Sequence, residues 1–549
     1  MKLKNQISII LIMGIIALST NSIYAQISYG GEPYSFSNKL EMPQAISPNP
    51  SELMLNKGDN NKNCNALEFG RFLNLNISLN NDLWQKISTA KGKTIYRLRV
   101  QSKGALAVGA YFSDFFIPKG AELFIFSPDH QQLIGSFNSL NNPASGLFAT
   151  EYILGDQLLI EYIEPANVKG QGHFIVKEIL HAYRAIGSVI NKSGFGSSDV
   201  CEVNVNCPEG SGKNKQRDAV LRLNIKIGSS AYWCTGSLIN NTSEDRTPYV
   251  ITADHCGKNS SSVDQNQWVF YFNYQSDDCD DPNIEPEHQT MTGCSLIAAS
   301  SNTGSLGSDF YLVMLNQTVP EDYRPYFLGW NRDGLGSDVG YTIHHPQGDI
   351  KKISTYTNPL SDATYNGGIY NGFWEVAWSE TETNHGVTEP GSSGSPIFDE
   401  QGYLIGTLTG GAASCSALTA NDYYGKFIMH WDQNGSEDNQ KLAPWLDPLN
   451  TGVDKMSGIY LGVDEEKILS GKLFQAIPNP VSSSLILYFD RNNTEYLVSI
   501  SDLSGKIITE FKQEGLGPKT IQLEGLQKGI YIIKVMTESK TQISKFLKL

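Results

Sequence analysis

Short apolar runs bounded by turn residues dominate the chain, and apolar residues at helical spacing are scarce. Between residues 66 and 185 the runs are "TIYRLRVQS", "GAYFSDFFIP", "AELFIFSP" and "DQLLIEYIEP", separated by Gly, Asn and Pro. Further on come "YVITA" and "WVFYFNY", and near the end "SLILYF", "YLVSISDLSGKII" and "GIYIIKV". Runs of four to eight residues rich in Val, Ile, Tyr and Phe, ending in Gly or Pro, predict strands and a mostly β protein.

The stretches without such pattern divide the chain. Residues 26 to about 65 are rich in Asn, Pro and Ser, and "AIGSVINKSGFGSSDV" (185–200) is small and polar, the composition of a boundary open to proteolysis. A second turn-rich bridge, "DKMSGIYLGVDEEKILSGK", precedes the last strands. The start, "MKLKNQISIILIMGIIALSTNSIYAQ", sets Lys2 and Lys4 before about a dozen apolar residues and ends on small residues at Ala25, the layout of a secretory signal peptide rather than a membrane span. No later run is long enough to span a bilayer. The expected organisation is a signal peptide (1–25) and a β-rich propeptide resembling a sandwich (26–192). A main domain (193–455), a linker (456–474) and a small C-terminal β-sandwich (475–549) follow.

Charge and cysteines narrow the picture. A net charge of −15 over 549 residues repels phosphate backbones, so no nucleic-acid partner is expected, whereas basic substrates are tolerated. Seven of the eight cysteines lie between 201 and 415, and none forms a Cys-x-x-Cys pair, which argues against zinc. In an exported chain they predict disulfides, whose connectivity the spacing leaves open.

Three polar positions on strand edges suggest chemistry. "YVITADHCG" ends an apolar strand at His255, "GSDFYLVML" opens one at Asp309, and "GVTEPGSSGSPIF" carries Ser393 on a glycine-rich turn. Taken singly, the histidine would be a packed core residue and the aspartate a turn residue. Together, the order His, Asp, Ser is that of chymotrypsin-like serine proteases. A serine hydroxyl needs a base, here His255, and the base needs an orienting carboxylate, here Asp309. Gly391 and Gly394 permit a sharp turn, so the N–H groups of Gly391 and Ser393 are the candidate oxyanion hole.

With "VCEVNVNCPEG", "CTGSLINNT", "YFNYQ", "IHHPQGDIKKIS" and "DYYGKF" added, residues 193–455 resemble the secreted bacterial lysyl endopeptidases of the chymotrypsin-like class. The resemblance implies two six-stranded β-barrels with the triad between them and no cofactor or metal. It also implies disulfides Cys201–Cys415, Cys207–Cys279 and Cys234–Cys256, the last bracing the segment that presents His255. Cys64 and Cys294 have no counterpart; they either pair in the precursor or leave Cys294 as a free thiol.

Two departures stand out. Trypsin-like enzymes carry an aspartate before the nucleophile, which pairs with the new N-terminus; here Ser392 stands there, so activation is expected through removal of 26–192. The family's histidine before the double glycine of the substrate strand is replaced by Thr409 in "TLTGG". By resemblance, Gly410 and Gly411 bind the substrate backbone and Asp422 binds the substrate lysine, with Glu389 as a second acidic candidate. A buried carboxylate rejects neutral side chains. Lysine and arginine are both cations, and pocket depth decides between them. Lys192, just before the main domain, is a site at which a lysine-specific enzyme could free itself.

"HHP" (344–346) places adjacent histidines on opposite strand faces, which argues against a metal pair, and "DDCDDPN" (277–283) is expected to be a solvated loop rather than a calcium site. The last 75 residues, with "PNPV", "DLSGKII" and "GIYIIKV", resemble the sorting domain of type IX secretion. The expected protein is a monomeric secreted or cell-surface serine endopeptidase acting after lysine, whose partners are peptide substrates and the secretion machinery. The alternatives are Arg or Glu preference on the same fold, or a surface adhesin on an inactive protease scaffold.

Overall fold

A computed structural model describes residues 28–48, 66–184, 196–300 and 306–460, together with 473–548 apart from 478–480, 482–483, 490–494, 504, 515–518, 524 and 538–540. Ala25, Cys64, Lys192 and most of "PNPV" lie outside the described residues. The chain divides into two compact units, 1–459 and 460–549. No helix among the described residues is long and apolar enough to cross a membrane.

The strands of 66–184 follow the alternation in the sequence. In Thr94–Gln101, Tyr96, Leu98 and Val100 share one face and enter a core with Phe112, Phe115 and Phe148. Ile95 and Arg97 point the other way. Ile95 packs with Phe124 and Phe126, and buried Arg97 pairs with Glu161 at 3.3 Å. Six strands form one sheet, Ala45–Ile46, Gln85–Ser88, Thr94–Gln101, Glu122–Phe126, Leu133–Phe137 and Gln157–Glu164. Facing it are Leu67–Ser78, Ala107–Phe116, Phe148–Leu154 and His173–Ala182, so the expected sandwich is present.

Its second sheet continues into the main domain. Leu67–Ser78 pairs antiparallel with Ser230–Leu238 of the main domain, Ser230 opposite Arg71 and Trp233 opposite Leu67. The result is one sheet of eleven strands, seven of them from the main domain. An exposed edge would leave unpaired N–H and C=O groups, and the leader strand satisfies them.

The main domain's other sheet has ten strands and includes Gly340–His344, Pro396–Phe398, Leu404–Gly411 and Asn421–Lys426. Disulfides join Cys201 to Cys415, Cys207 to Cys279 and Cys234 to Cys256, the pairs implied by resemblance. Cys294 is a free, buried thiol whose ionisation burial strongly opposes. In the second unit, sheets of three and four strands enclose a core that includes Phe474, Leu485, Val498 and Ile533.

Candidate active site

The strand Tyr249–Thr252 runs into a single turn of helix, Asp254–Gly257, which carries His255 beside the disulfide-bonded Cys256. Asp309 lies just before the strand Tyr311–Leu315 and adopts φ 62°, a left-handed conformation that aspartate tolerates better than most residues. This turn aims both carboxylate oxygens at one residue. Oδ1 accepts the backbone N–H of His255 at 3.0 Å, and Oδ2 lies 2.8 Å from Nδ1. A carboxylate only accepts, so the ring proton sits on Nδ1 and Nε2 keeps its lone pair. Nε2 is buried and has no hydrogen-bond partner among the described residues.

Behind Asp309, Ser308 is gripped by Asn434, which accepts its N–H at 2.8 Å, and its hydroxyl lies 2.7 Å from Nδ1 of buried His430. The opposite nitrogen of His430 meets Thr407 at 3.0 Å. This support for the carboxylate was not visible in the linear sequence.

Ser393 sits against the other wall. Its carbonyl accepts the N–H of Thr235 at 2.9 Å, and Sγ of Cys256 is 3.8 Å away, which brings the serine beside the helical turn of His255. Gly391 (φ 101°) and Gly394 (φ 81°) make the turn, and no other residue fits. A Cβ on Gly391 would come within 2.9 Å of Gly348 N and His345 O, and one on Gly394 would strike Thr252. Among the described residues, the N–H groups of Gly391 and Ser393 make no hydrogen bond to a protein acceptor.

Ser392 belongs to a neutral network. Glu389 N–H donates to its hydroxyl at 3.2 Å, and the hydroxyl lies 2.8 Å from Nδ1 of buried His344. Nε2 of His344 is 3.1 Å from Ser354, whose hydroxyl donates to Val387 O at 2.7 Å. Because Ser354 gives its proton to Val387, His344 donates from Nε2 and accepts from Ser392 at Nδ1. Burial, then Lys352, pushes the His344 ring down to about 3, which keeps it neutral. His345 donates from Nδ1 to the Asp349 carbonyl, 2.8 Å away, so each histidine of "HHP" is committed to protein partners.

The start of the main domain lies along this turn. Asp349 accepts Gly196 N–H at 2.7 Å and Ser198 N–H at 3.0 Å, and Glu389 accepts Asp199 N–H at 3.1 Å. Glu389 is thus spent on the leading segment. Burial, reinforced by Asp199 and Asp349 against Lys352, lifts its carboxyl to about 7. Between its unfolded value, about 4.3, and that raised value, the folded state holds a proton the unfolded chain has lost, so this group's contribution to stability falls as pH rises. Glu389→Gln is therefore expected to raise Tm more at pH 8 than at pH 4.5. Thermal melts at both values check this, and an equal gain at both would exclude Glu389 as the cause.

Gly411 stands opposite Asp422 on neighbouring antiparallel strands, with Gly410 opposite Tyr423. A Cβ on Gly411 would collide with the Asp422 carboxylate. Asp422 is 1% exposed. Oδ2 accepts Trp378 Nε1–H and Thr388 Oγ1–H, each at 2.7 Å, and Oδ1 accepts Ala413 N–H at 3.2 Å. Burial raises its carboxyl above the usual range against these three donors, and no cation contributes. Trp378 and Thr388, which hold the Asp422 carboxylate, were missed by sequence reading; Thr388 sits inside the glycine-serine motif, while nothing local marks Trp378. Thr409 is buried with its hydroxyl unpartnered.

Residues 195–425 match the family model of the lysyl endopeptidase C-terminal domain. Residues 475–548 match that of the secretion system C-terminal sorting domain. These two segments are similar to a lysyl endopeptidase domain and to a secretion sorting domain. A lysyl endopeptidase of Pseudomonas aeruginosa is 28% identical over 331 residues, covering 58% of this chain and 66% of that protein, so the chain spans just under two thirds of that relative's length. Among solved structures, the protease Anisep of Arthrobacter nicotinovorans overlaps 38% of this chain and 90% of its own at 18% identity, with a TM-score of 0.28. A structure described as GrC overlaps 39% of this chain and 91% of its own at 14% identity and a TM-score of 0.27. The sorting domain marks the protein as secreted or held at the cell surface.

Proposed function

We propose that the lysyl endopeptidase domain of this chain is an active serine endopeptidase that cuts on the carboxyl side of lysine. The observation that carries the reading is the state of His255, with Nδ1 and backbone N–H both on Asp309 and Nε2 buried and partnerless. An imidazole in that tautomer takes the proton of Ser393 as the hydroxyl attacks the scissile carbonyl, and returns it to the leaving amine. The N–H groups of Gly391 and Ser393 receive the oxyanion, typically worth about 3 kcal/mol per donor. Water then enters by the same base and releases the acyl group.

Asp422 supplies selectivity. Three donors steady its charge but none neutralises it, and a substrate ammonium completes the pair. A neutral side chain leaves the carboxylate buried and unmatched. Processing follows from the same preference: a cut after Lys192 separates 26–192 from the main domain, and the neutral Ser392–His344 network holds the nucleophile turn where trypsin-like enzymes use an ion pair.

The test has two arms. A fluorophosphonate probe is expected to label Ser393, and an adhesin on a dead scaffold would not react. Reporter peptides ending in Lys, Arg or Glu are expected to rank with Lys first; equal or faster cleavage after Glu would overturn the role of Asp422. N-terminal sequencing of the processed chain should begin at Ser193.

A further inference from the structure

The leader segment is joined to the catalytic domain as one core is joined to itself. Besides the shared sheet, Phe69 stacks on Trp233 with ring centroids 3.9 Å apart, and Phe72 and Tyr152 pack in the same buried cluster as Tyr271 and Ile350. Polar contacts ring this cluster. Lys226 pairs with Glu178 at 2.6 Å, His288 with Glu151 at 2.6 Å, and Thr292 donates to Ala149 O at 3.0 Å.

At its centre lies Arg222, a fully buried cation. Its guanidinium carbon stands 3.7 Å from the ring centroid of Tyr274, 4.0 Å from Tyr271, 4.5 Å from Trp233 and 5.9 Å from Tyr152, the last supplied by the leader. The guanidinium donates to Gly348 O at 2.8 Å. That loop in turn braces the nucleophile turn, where Gln347 N–H donates to Pro390 O at 2.7 Å. The leader thus completes the aromatic enclosure of a cation that holds the oxyanion turn from behind.

Among the described residues, no hydrogen bond, ion pair or ring contact joins 66–184 to His255, Asp309, Ser393 or Asp422. Residues 66–184 join the first sheet along the edge Ser230–Trp233. Cutting the chain between 185 and 195 breaks none of the contacts above. Removing the leader afterwards would strip an apolar core from Trp233 and Tyr271 and unpair the edge Ser230–Trp233.

We propose that residues 66–184 remain docked after the cut, so that the working enzyme is a two-chain particle whose first sheet is completed by its own leader. Only the occurrence of the cut rests on the processing proposed above. The test is made independent of catalysis by using the full chain with Ser393→Ala and residues 187–194 replaced by the recognition sequence of an unrelated site-specific protease.

After cleavage by that protease, both fragments are expected to co-elute on gel filtration and to stay together for hours after dilution by about 100-fold. Separation into two peaks at the loading concentration would overturn the proposal. The double variant Glu151→Lys/Glu178→Lys alters two partly exposed leader carboxylates and is first checked for cooperative melting before the cut. Its fragments are expected to part at least about tenfold faster, as loss of interfacial ion pairs acts mainly on dissociation. An unchanged rate would reject this face as the one that holds the two chains together.

Discussion

Ser393→Ala is expected to lower kcat for a lysyl reporter peptide by about 10⁵- to 10⁶-fold, the scale at which removing the nucleophile of a triad leaves only binding and oxyanion contributions. The substitution deletes one oxygen from a residue whose anchoring runs through its backbone: its carbonyl accepts Thr235 N–H at 2.9 Å. The turn is held independently by Gly394 N–H on Leu408 O at 2.9 Å, and Gly391 O accepts the Thr235 hydroxyl at 3.0 Å. Folding stability should therefore stay within about 1 kcal/mol of the parent's, as for substitutions that remove no buried partner. Secretion should be unaffected, since the sorting domain lies in a separate unit. A variant that folds and still cleaves at more than a hundredth of the parent rate would mean that the attacking group is elsewhere.

Asp422→Asn is expected to cost about 10²- to 10⁴-fold in kcat/KM for lysyl substrates, the range for leaving a buried cation without its counter-charge. Labelling of Ser393 by a small fluorophosphonate should persist, because the hydrogen bonds of Asp422 among the described residues run to Trp378, Thr388 and Ala413 and not to the three candidate triad side chains. That split separates pocket from triad: loss of both readouts would point to a disturbed fold, and loss of neither would remove Asp422 from the pocket floor. Oδ1 and Oδ2 each accept an N–H, from Ala413 and Trp378, and an asparagine amide can satisfy only one of them. Some loss of stability accompanies the loss of charge. In the parent, burial holds the Asp422 carboxyl above the ordinary range. Acidification should therefore protonate the pocket before ordinary surface carboxylates, which is expected to raise KM for lysyl substrates.

The Arg222 enclosure and the Ser392–His344 network bear on how such a site is kept ready before substrate arrives. Neither uses a charge that must be created by processing. His344 is neutral because it is buried, and Arg222 is matched by aromatic faces that fold with the sheet. A turn held by neutral and preformed contacts needs no ammonium to switch it on, which fits the serine at position 392. Glu389 and Asp349 receive backbone N–H groups from residues 196–199, so the carboxylates near the turn orient the leading segment rather than a substrate.

Much of this was written locally. Period-two runs ending in Gly and Pro specify strands because side chains alternate across a pleat, and the glycines of "GSSGSP" specify a turn because Gly391 and Gly394 need positive φ. The expected export signal and the candidate triad in the order His255, Asp309, Ser393 could be named from residue type and order, and the acidic residue expected to receive lysine from family resemblance. What only the tertiary structure decided depends on contacts between distant segments: that Leu67–Ser78 joins Ser230–Leu238 in one sheet, that Trp378 and Thr388 hold Asp422, that His344 serves Ser392, and that His430 and Asn434 stand behind Asp309. A strand edge carries the same N–H and C=O groups whatever its partner, and a buried tryptophan or histidine looks like any other core residue until packing gives it a neighbour, so no local pattern could have specified these pairings.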